Sequence, residues 1–302
     1  MAGGFGCNIF WRRASQWFNE FTMLRNYLKT AIRNLWKNKV FSAINIVGLA
    51  IGLATCLLIL IFVMDELSYD RYNDKADRIY RLDGEIKFGG NHFILAVAPA
   101  PAGPAVLRDY PEVEKEVRFR MQGGRLVKKG NQNIKEDMMV LADSTLFDVF
   151  TLPMIDGDPH TALKEAHSVV ITEKMAKKYF DETHVVGRTL VMNDSILYKV
   201  TGVIRDIPAA SHFHFDFFLS MTESEEARRA DDGWLSNNFN TYLLLRKGTD
   251  AKKFEAKLSG LVRKYVAPLL QAAVNISLDD FNKGGNMVGF FADAVDGDPS
   301  TQ

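Results

Sequence analysis

The chain has 302 residues, in which 37 Lys and Arg are balanced by 37 Asp and Glu. A protein that binds nucleic acid through a basic surface carries a clear positive excess, so this composition excludes nucleic acid as a partner. The two cysteines are Cys7 and Cys56, so no intrachain disulfide can form in the chain beyond them.

Residues 1–22 have no clear hydrophobic period, whereas a regular pattern begins at Met23. We therefore expect Met23 to be the natural start and residues 1–22 to be an N-terminal extension. The alternative is an interfacial anchor, because Trp11 and Trp17 could lie at the level of the lipid headgroups.

Residues 23–40 are predicted to form an amphipathic helix in the cytoplasm. Leu24, Leu28 and Leu35 lie on an apolar stripe, and four basic residues at a spacing of four form a second stripe: Arg25, Lys29, Arg33 and Lys37. An apolar face beside a basic face suits a helix in the headgroup layer, where cations are attracted to anionic membrane lipid. The alternative is an ordinary juxtamembrane helix end with anchoring lysines.

Residues 41–64 are predicted to form a transmembrane helix. The stretch from Ile46 to Met64 contains no charged residue. As a helix it would be about 28 Å long, close to the hydrocarbon thickness of a bilayer. Gly48 and Gly52 lie four residues apart, and small residues at this spacing let a second helix approach closely. These two glycines are therefore candidate helix-packing residues.

The charges on either side of the predicted span predict its orientation. Seven Lys and Arg lie between Arg12 and Lys39 against a single acidic residue, Glu20. Just after the span, acidic residues such as Asp65 and Glu66 are mixed with basic ones. Because positive residues are retained on the cytoplasmic side, we expect a cytoplasmic N-terminus, with residues 65 onward outside the cytoplasm.

Residues 65–270 combine short strands and short helices without a regular βαβ alternation, which predicts an α+β domain. Residues 271–302 are predicted to be a polar tail. Ser144 and Thr172 are expected to cap the helices that follow them. Strands are predicted at 78–87, 93–97, 113–121, 125–128, 138–141, 168–171, 189–192, 196–205, 213–220 and 240–245, and helices at 104–110, 144–150, 173–180 and 249–265.

The sequence contains no phosphate-binding, dinucleotide-binding, zinc-protease or nucleophile-elbow motif. We therefore expect no catalytic residue, no cofactor and no metal. One cluster invites an alternative: on a strand, His212, His214 and Asp216 would share a face and could hold a metal ion. The favoured interpretation places the alternating phenylalanines, such as Phe213 and Phe215, in the core and the polar residues on the solvated face.

Five separated stretches follow one another in a recognisable order: Asn38 to Leu82, Val140 to Pro159, Ser168 to Phe180, Tyr198 to Met221 and Asn240 to Asp250. Taken together, they resemble the FtsX-like, MacB-type permeases of ABC transporters. The first stretch includes the predicted span, and the others resemble the periplasmic core domain of that family.

This resemblance implies a bacterial inner-membrane protein with an N-terminal helix, a first span, a periplasmic domain and three further spans. It implies a non-catalytic subunit that pairs with a second permease copy and works with a cytoplasmic ABC ATPase. Members of the family export or extract lipoproteins, peptides or antibiotics, or transmit force to periplasmic partners, so an adaptor or cargo is also implied. The substrate itself does not follow from the resemblance.

The sequence departs from this plan because no stretch after Ala272 is apolar enough to span a membrane. We expect the chain to be a fragment of a longer permease; the alternative is a stand-alone single-pass relative. In that second case the function would be that of a membrane-anchored sensor or scaffold whose periplasmic domain binds a partner. A third hypothesis is an ectodomain hydrolase or metalloprotein that uses His212 and His214.

Overall fold

The computed structural model describes residue 23 and residues 25–66, 68–228 and 233–295. The chain divides into two units, Met1–Met64 and Asp65–Gln302. The predicted N-terminal extension, residues 1–22, lies outside the described residues.

The first unit is helical. Helix α1 includes residues 25–37, and helix α2 spans Lys39–Glu66, with no proline in either to interrupt the backbone hydrogen bonds. The described side chains of α2 are exposed, apart from the half-buried Ser42 and Glu66. With 28 residues and a mean hydropathy of 2.9, α2 is long and apolar enough to cross a membrane. The predicted span lies within it.

The second unit is a mixed α+β domain built on a sheet of 14 strands. The strand order is β14-β1-β13-β4-β7-β12-β9-β11-β10-β5-β6, and β2, β3 and β8 pair with β1, β13 and β11. The strands are β1 (Ile79–Phe88), β2 (Asn91–Leu95), β3 (Ala98–Pro99), β4 (Val113–Met121), β5 (Arg125–Lys129), β6 (Gln132–Glu136), β7 (Met139–Ala142), β8 (Met154–Gly157), β9 (Ser168–Thr172), β10 (Thr189–Met192), β11 (Ile196–Ile204), β12 (Phe217–Ser220), β13 (Asn237–Leu245) and β14 (Met287–Ala294).

Short helices cover the sheet. They are α3 (Ala102–Asp109), α4 (Leu146–Val149), α5 (Glu173–Phe180), α6 (Glu225–Arg228), α7 (Ala251–Lys257), α8 (Ser259–Leu261), α9 (Ala267–Val274) and α10 (Leu278–Lys283), with a π-helical turn at Val262–Val266 between α8 and α9.

The two faces of the sheet bury different cores because side chains alternate along a strand. On β13, Tyr242 and Leu244 point into a core that also contains Phe119 and Phe150. Leu243 and Leu245 point the other way, into a core shared with α3, α7 and α8. The far half of the sheet has its own core, which α5 closes.

The predicted α+β class is confirmed, and many predicted elements agree with the structure. Strand β4, strand β10 and helix α5 have the predicted bounds. Thr172 is at the N-cap position of α5 as predicted, but its hydroxyl donates to Asp216 Oδ1 at 3.0 Å and makes no bond to the helix backbone. Ser144 does not cap α4 either, since the cap position falls at Thr145 and carries no side-chain hydrogen bond.

Three larger differences concern the start of β12, the helices after β13 and the C-terminal residues. The predicted strand at 213–220 is wrong at its start, because β12 begins at Phe217. The predicted helix at 249–265 is broken into α7, α8 and the π-helical turn. Within residues 271–302, predicted to be a polar tail, the structure places helix α10 and strand β14, and β14 pairs with β1 over eight residues.

Candidate functional site

Within the second unit, the stretch that leads to strand β1, residues 68–78, is held to the rest of the domain through a buried aspartate. We call this stretch the post-helix segment. Asp70 has a left-handed backbone (φ 56°) and is only 1% exposed. Its N–H donates to the carbonyl of Ala210 at 2.8 Å. A carboxylate this deeply buried needs a partner, because an unpaired buried charge is costly.

That partner is His212. Its Nδ1 lies 2.8 Å from Asp70 Oδ2, off the line of a good hydrogen bond, and its backbone N–H donates to Asp70 Oδ1 at 3.2 Å. Its Nε2 lies 2.9 Å from the hydroxyl of Tyr242, in the middle of the sheet. The carboxylate favours the tautomer with the proton on Nδ1, so Nε2 accepts from Tyr242. Burial raises the pKa of Tyr242 well above its usual range, which keeps this donor protonated.

Three more residues of the post-helix segment bind the same side of the domain. The hydroxyls of Tyr72 and Ser211 lie 3.0 Å apart, and burial raises the pKa of Tyr72 to about 12. Asn73 Oδ1 accepts from the N–H of Thr151 at 2.9 Å, and the N–H of Asp74 donates to Thr151 Oγ1 at 3.0 Å. The segment is therefore held to the domain at several points.

A second polar group ties β1 to β14. Arg81 donates from Nε and Nη2 to the two carboxylate oxygens of Asp83 at 2.6 and 2.8 Å, and its Nη2 lies 3.5 Å from Asp293 on β14. Burial raises the pKa of Asp83, although the Arg81 guanidinium opposes this shift. The N–H of Val295 also donates to the carbonyl of Ile79, so the described chain leaves the sheet beside the point where β1 begins.

A cavity of about 580 Å³ lies next to these groups. Its lining includes the nearly buried Phe119, Phe213 and Phe215 and the half-exposed Met121 and Met138, which we place at its edge. Polar side chains of the site, including those of Asp70, Arg81, His212 and Tyr242, also line it, as do Glu66 and Tyr69. The volume is typical of a small-molecule site.

The predicted helix-packing residues lie on an open face of α2. A Cβ placed on Gly48 or Gly52 would meet no heavy atom within 4 Å. The predicted basic residues of α1 are all exposed, and their spacing of four puts them along one side of a helix: Arg25, Lys29, Arg33 and Lys37. Neither finding tests the proposed roles, which stay predictions.

The structure separates the three residues of the possible metal cluster. His212 is paired with Asp70, His214 is exposed, and Asp216 accepts a hydrogen bond from Thr172. Among the described residues, no group of three or more His, Cys, Asp or Glu is placed to hold a metal ion. The buried phenylalanines are confirmed, but His212 is not on a solvated face as predicted. Nothing in the local pattern around Asp70 indicates its pairing with His212.

Three comparisons with known proteins relate this chain to a family and a fold. The family model described as MacB-like periplasmic core domain matches residues 42–261. Among solved structures, a domain assigned to a permease protein of Porphyromonas gingivalis is similar with a TM-score of 0.61 and 20% identity, over 74% of this chain and 91% of that one. At this identity the likeness shows the fold alone.

Two further structures are similar at lower scores. The periplasmic region of MacB from Actinobacillus actinomycetemcomitans has a TM-score of 0.43 and 14% identity, over 73% of this chain and 90% of that one. The extracellular domain of the ABC-type transporter YknZ from Gram-positive bacteria has a TM-score of 0.41 and 15% identity, over 71% of this chain and 98% of that one. The comparison with curated proteins finds no match.

Proposed function

The chain belongs to the family of proteins with a MacB-like periplasmic core domain, found in ABC transporter permeases, and from this premise we propose that it acts as a permease subunit. In this proposal the second unit moves as a separate cytoplasmic ATPase hydrolyses ATP. The system exports a substrate or transmits force to a periplasmic partner. The subunit itself is not an enzyme, consistent with a sequence that has no phosphate-binding motif.

The proposed arrangement follows the charge pattern. The basic residues ahead of α2 favour an N-terminus in the cytoplasm of a bacterial cell, with the chain from Asp65 onward in the periplasm. The basic side of α1 contacts anionic lipid in the inner membrane. Gly48 and Gly52 contact a membrane helix, either of the same transporter unit or of a second permease copy.

The proposal rests mainly on the contacts that hold the post-helix segment to the sheet. Mechanical coupling requires that a shift of the membrane helix is not absorbed by a slack linker. Here the linker is short, and Asp70 is bound to Ala210 and His212 within four residues of the end of α2. His212 in turn contacts Tyr242 on a strand in the middle of the sheet. A movement of α2 would therefore reach the sheet directly.

The association with an ATPase is tested by co-expression. The full chain is produced with the ABC ATPase encoded beside its gene, extracted in mild detergent and isolated through a tag on the chain. We expect the ATPase to co-purify in stoichiometric amount, and its ATP turnover to change on association. A stable chain that is recovered without the ATPase, and leaves its turnover unchanged, would contradict the proposal and favour the sensor or scaffold hypothesis.

A further inference from the structure

The cavity beside the post-helix segment has walls that suit a hydrocarbon chain. Phe119, Phe213 and Phe215 are in its lining, and because they are almost fully buried they form its apolar floor rather than exposed surface. Met121 and Met138 at its edge are 50% and 53% exposed. Flexible methionine side chains adapt to apolar ligands of variable shape, and half-exposed ones at a cavity edge are typical of binding surfaces.

The charged groups that line the interior of the cavity are already paired. Arg81 is bound by Asp83 and Asp293, and Asp70 is in contact with His212. A charged ligand would have to be desolvated and would compete with these ion pairs for the lining groups, which is unfavourable. The interior therefore favours an apolar occupant.

One acidic residue of the lining has no such partner. Glu66 lines the cavity, and no ion pair to its carboxylate occurs among the residues that the structure describes. Tyr69 is also in the lining. A carboxylate next to an aromatic ring attracts an ammonium group, through charge and through the ring face. Glu66 is also only two residues beyond Met64, where the uncharged stretch of α2 ends.

From these three observations we propose that the cavity binds one acyl chain of a membrane phospholipid with an amine-bearing headgroup, whose ammonium lies beside Glu66. The inference rests on the proposed insertion of α2 in a membrane, since that places a supply of such lipid within reach. It goes beyond the proposed function because it needs neither an ATPase nor a transported substrate. Bound lipid would contact Phe213 and His212, and so would stiffen the attachment of the post-helix segment.

The test is photo-crosslinking in nanodiscs. The full chain is reconstituted in phosphatidylglycerol, which has no ammonium group, with a small fraction of phosphatidylethanolamine that carries a diazirine in the middle of one acyl chain. After irradiation, labelled peptides are identified by mass spectrometry. We expect labelling within residues 119–121 and 213–215, in addition to labelling of α2. Labelling confined to α1 and α2 would overturn the proposal.

Two matched variants show whether the label marks the cavity. Met138→Glu puts a charge at the cavity edge, and Leu197→Glu puts the same charge at an exposed apolar site on β11, where the side chain is 61% exposed. Because both positions are exposed, both variants should fold, which circular dichroism would check. We expect Met138→Glu to reduce labelling of residues 213–215 at least fivefold and Leu197→Glu to leave it unchanged. Equal labelling in both variants would contradict the proposal.

The headgroup is tested with the same diazirine on an anionic phosphatidylglycerol. We expect the amine-bearing lipid to label the cavity severalfold more, and Glu66→Gln to abolish this preference. Equal labelling by the two lipids in the wild type would refute the assignment to an amine-bearing lipid. If the chain does not insert in nanodiscs, the proposed function fails as well; if it inserts and the cavity stays unlabelled, only the lipid inference fails.

Discussion

Glu116 is a buried carboxyl whose ionisation should weaken the fold. It lies on β4, 8% exposed, and its Oε2 has no hydrogen-bond partner in the described structure. A Cβ on Gly103 of α3 would lie 2.7 Å from that oxygen, so helix α3 packs directly on it. Burial, and then the charge of Asp143, raise the pKa of Glu116 to about 8, against the opposing effect of Arg118.

The sign of the effect follows from linkage. The pKa of Glu116 is higher in the folded state than the ordinary 4.5. The stability that the protonated Glu116 carboxyl contributes is therefore complete below pH 4.5, and it is lost as the pH rises towards 8. A difference of this size corresponds to a loss on the order of 5 kcal/mol, at about 1.4 kcal/mol per pKa unit. Glu116→Gln keeps the shape of the side chain and removes the charge, so it should remove this loss.

We expect Glu116→Gln to have nearly wild-type stability at pH 5 and to be more stable than the wild type by several kcal/mol at pH 8.5. The measurement is urea unfolding of the full chain in detergent, followed by the fluorescence of tryptophan, of which Trp234 is buried in the domain. Glu114→Gln, two residues away on the same strand and paired with Arg78 at the surface, is the control and should bring no gain at high pH. If the free energy of unfolding changed with pH in the same way for the wild type and for Glu116→Gln, this reasoning would be refuted.

Three further predictions concern the attachment and the membrane unit. His212→Ala leaves Asp70 buried without its partner, so the free energy of unfolding should fall by about 3 kcal/mol, and an unchanged urea midpoint would contradict the role of the pair. Gly52→Leu should weaken assembly of the intact transporter, which crosslinking in membranes would measure. The control Leu53→Ala, also on α2, should leave assembly unchanged. Wild-type assembly of the Gly52→Leu variant would count against helix packing at this glycine. Replacing Lys29 and Arg33 by Gln should weaken binding of a peptide of residues 23–40 to anionic vesicles by about 1 kcal/mol per charge, and equal binding of both peptides would show that the basic side is not used.

The local sequence pattern was sufficient to predict those elements whose apolar period is complete within a few residues. Strand β4 alternates strongly enough to be placed from Val113 to Met121, and helix α5 buries Met175, Ala176 and Tyr179 at helical spacing. The uncharged stretch in α2 similarly predicts a long apolar helix. In β4 and α5 the apolar residues of the sequence recur at the period of the element, so a short window is enough to identify it.

Long-range pairing could not be predicted in this way. Asp70 and His212 are 142 residues apart, and His212 and Tyr242 are 30 residues apart, so no local period relates them. Strand β14 follows two glycines and was expected to be part of a tail, but it is ordered by pairing with β1, almost the whole domain earlier in the chain. The polar residues of the candidate site are therefore recognisable only once the sheet is assembled.

The central claim, that the second unit moves with ATP hydrolysis, is tested most directly by a distance measurement between two copies. Cys7 and Cys56 are replaced by Ser, Asn131 in the exposed turn between β5 and β6 is replaced by Cys, and the chain is spin-labelled and reconstituted with its ATPase. Double electron–electron resonance then compares the nucleotide-free state with a state trapped during hydrolysis. We expect the distance distribution to shift between the two states, and His212→Ala to reduce the shift. Identical distributions in a complex that hydrolyses ATP would contradict the account.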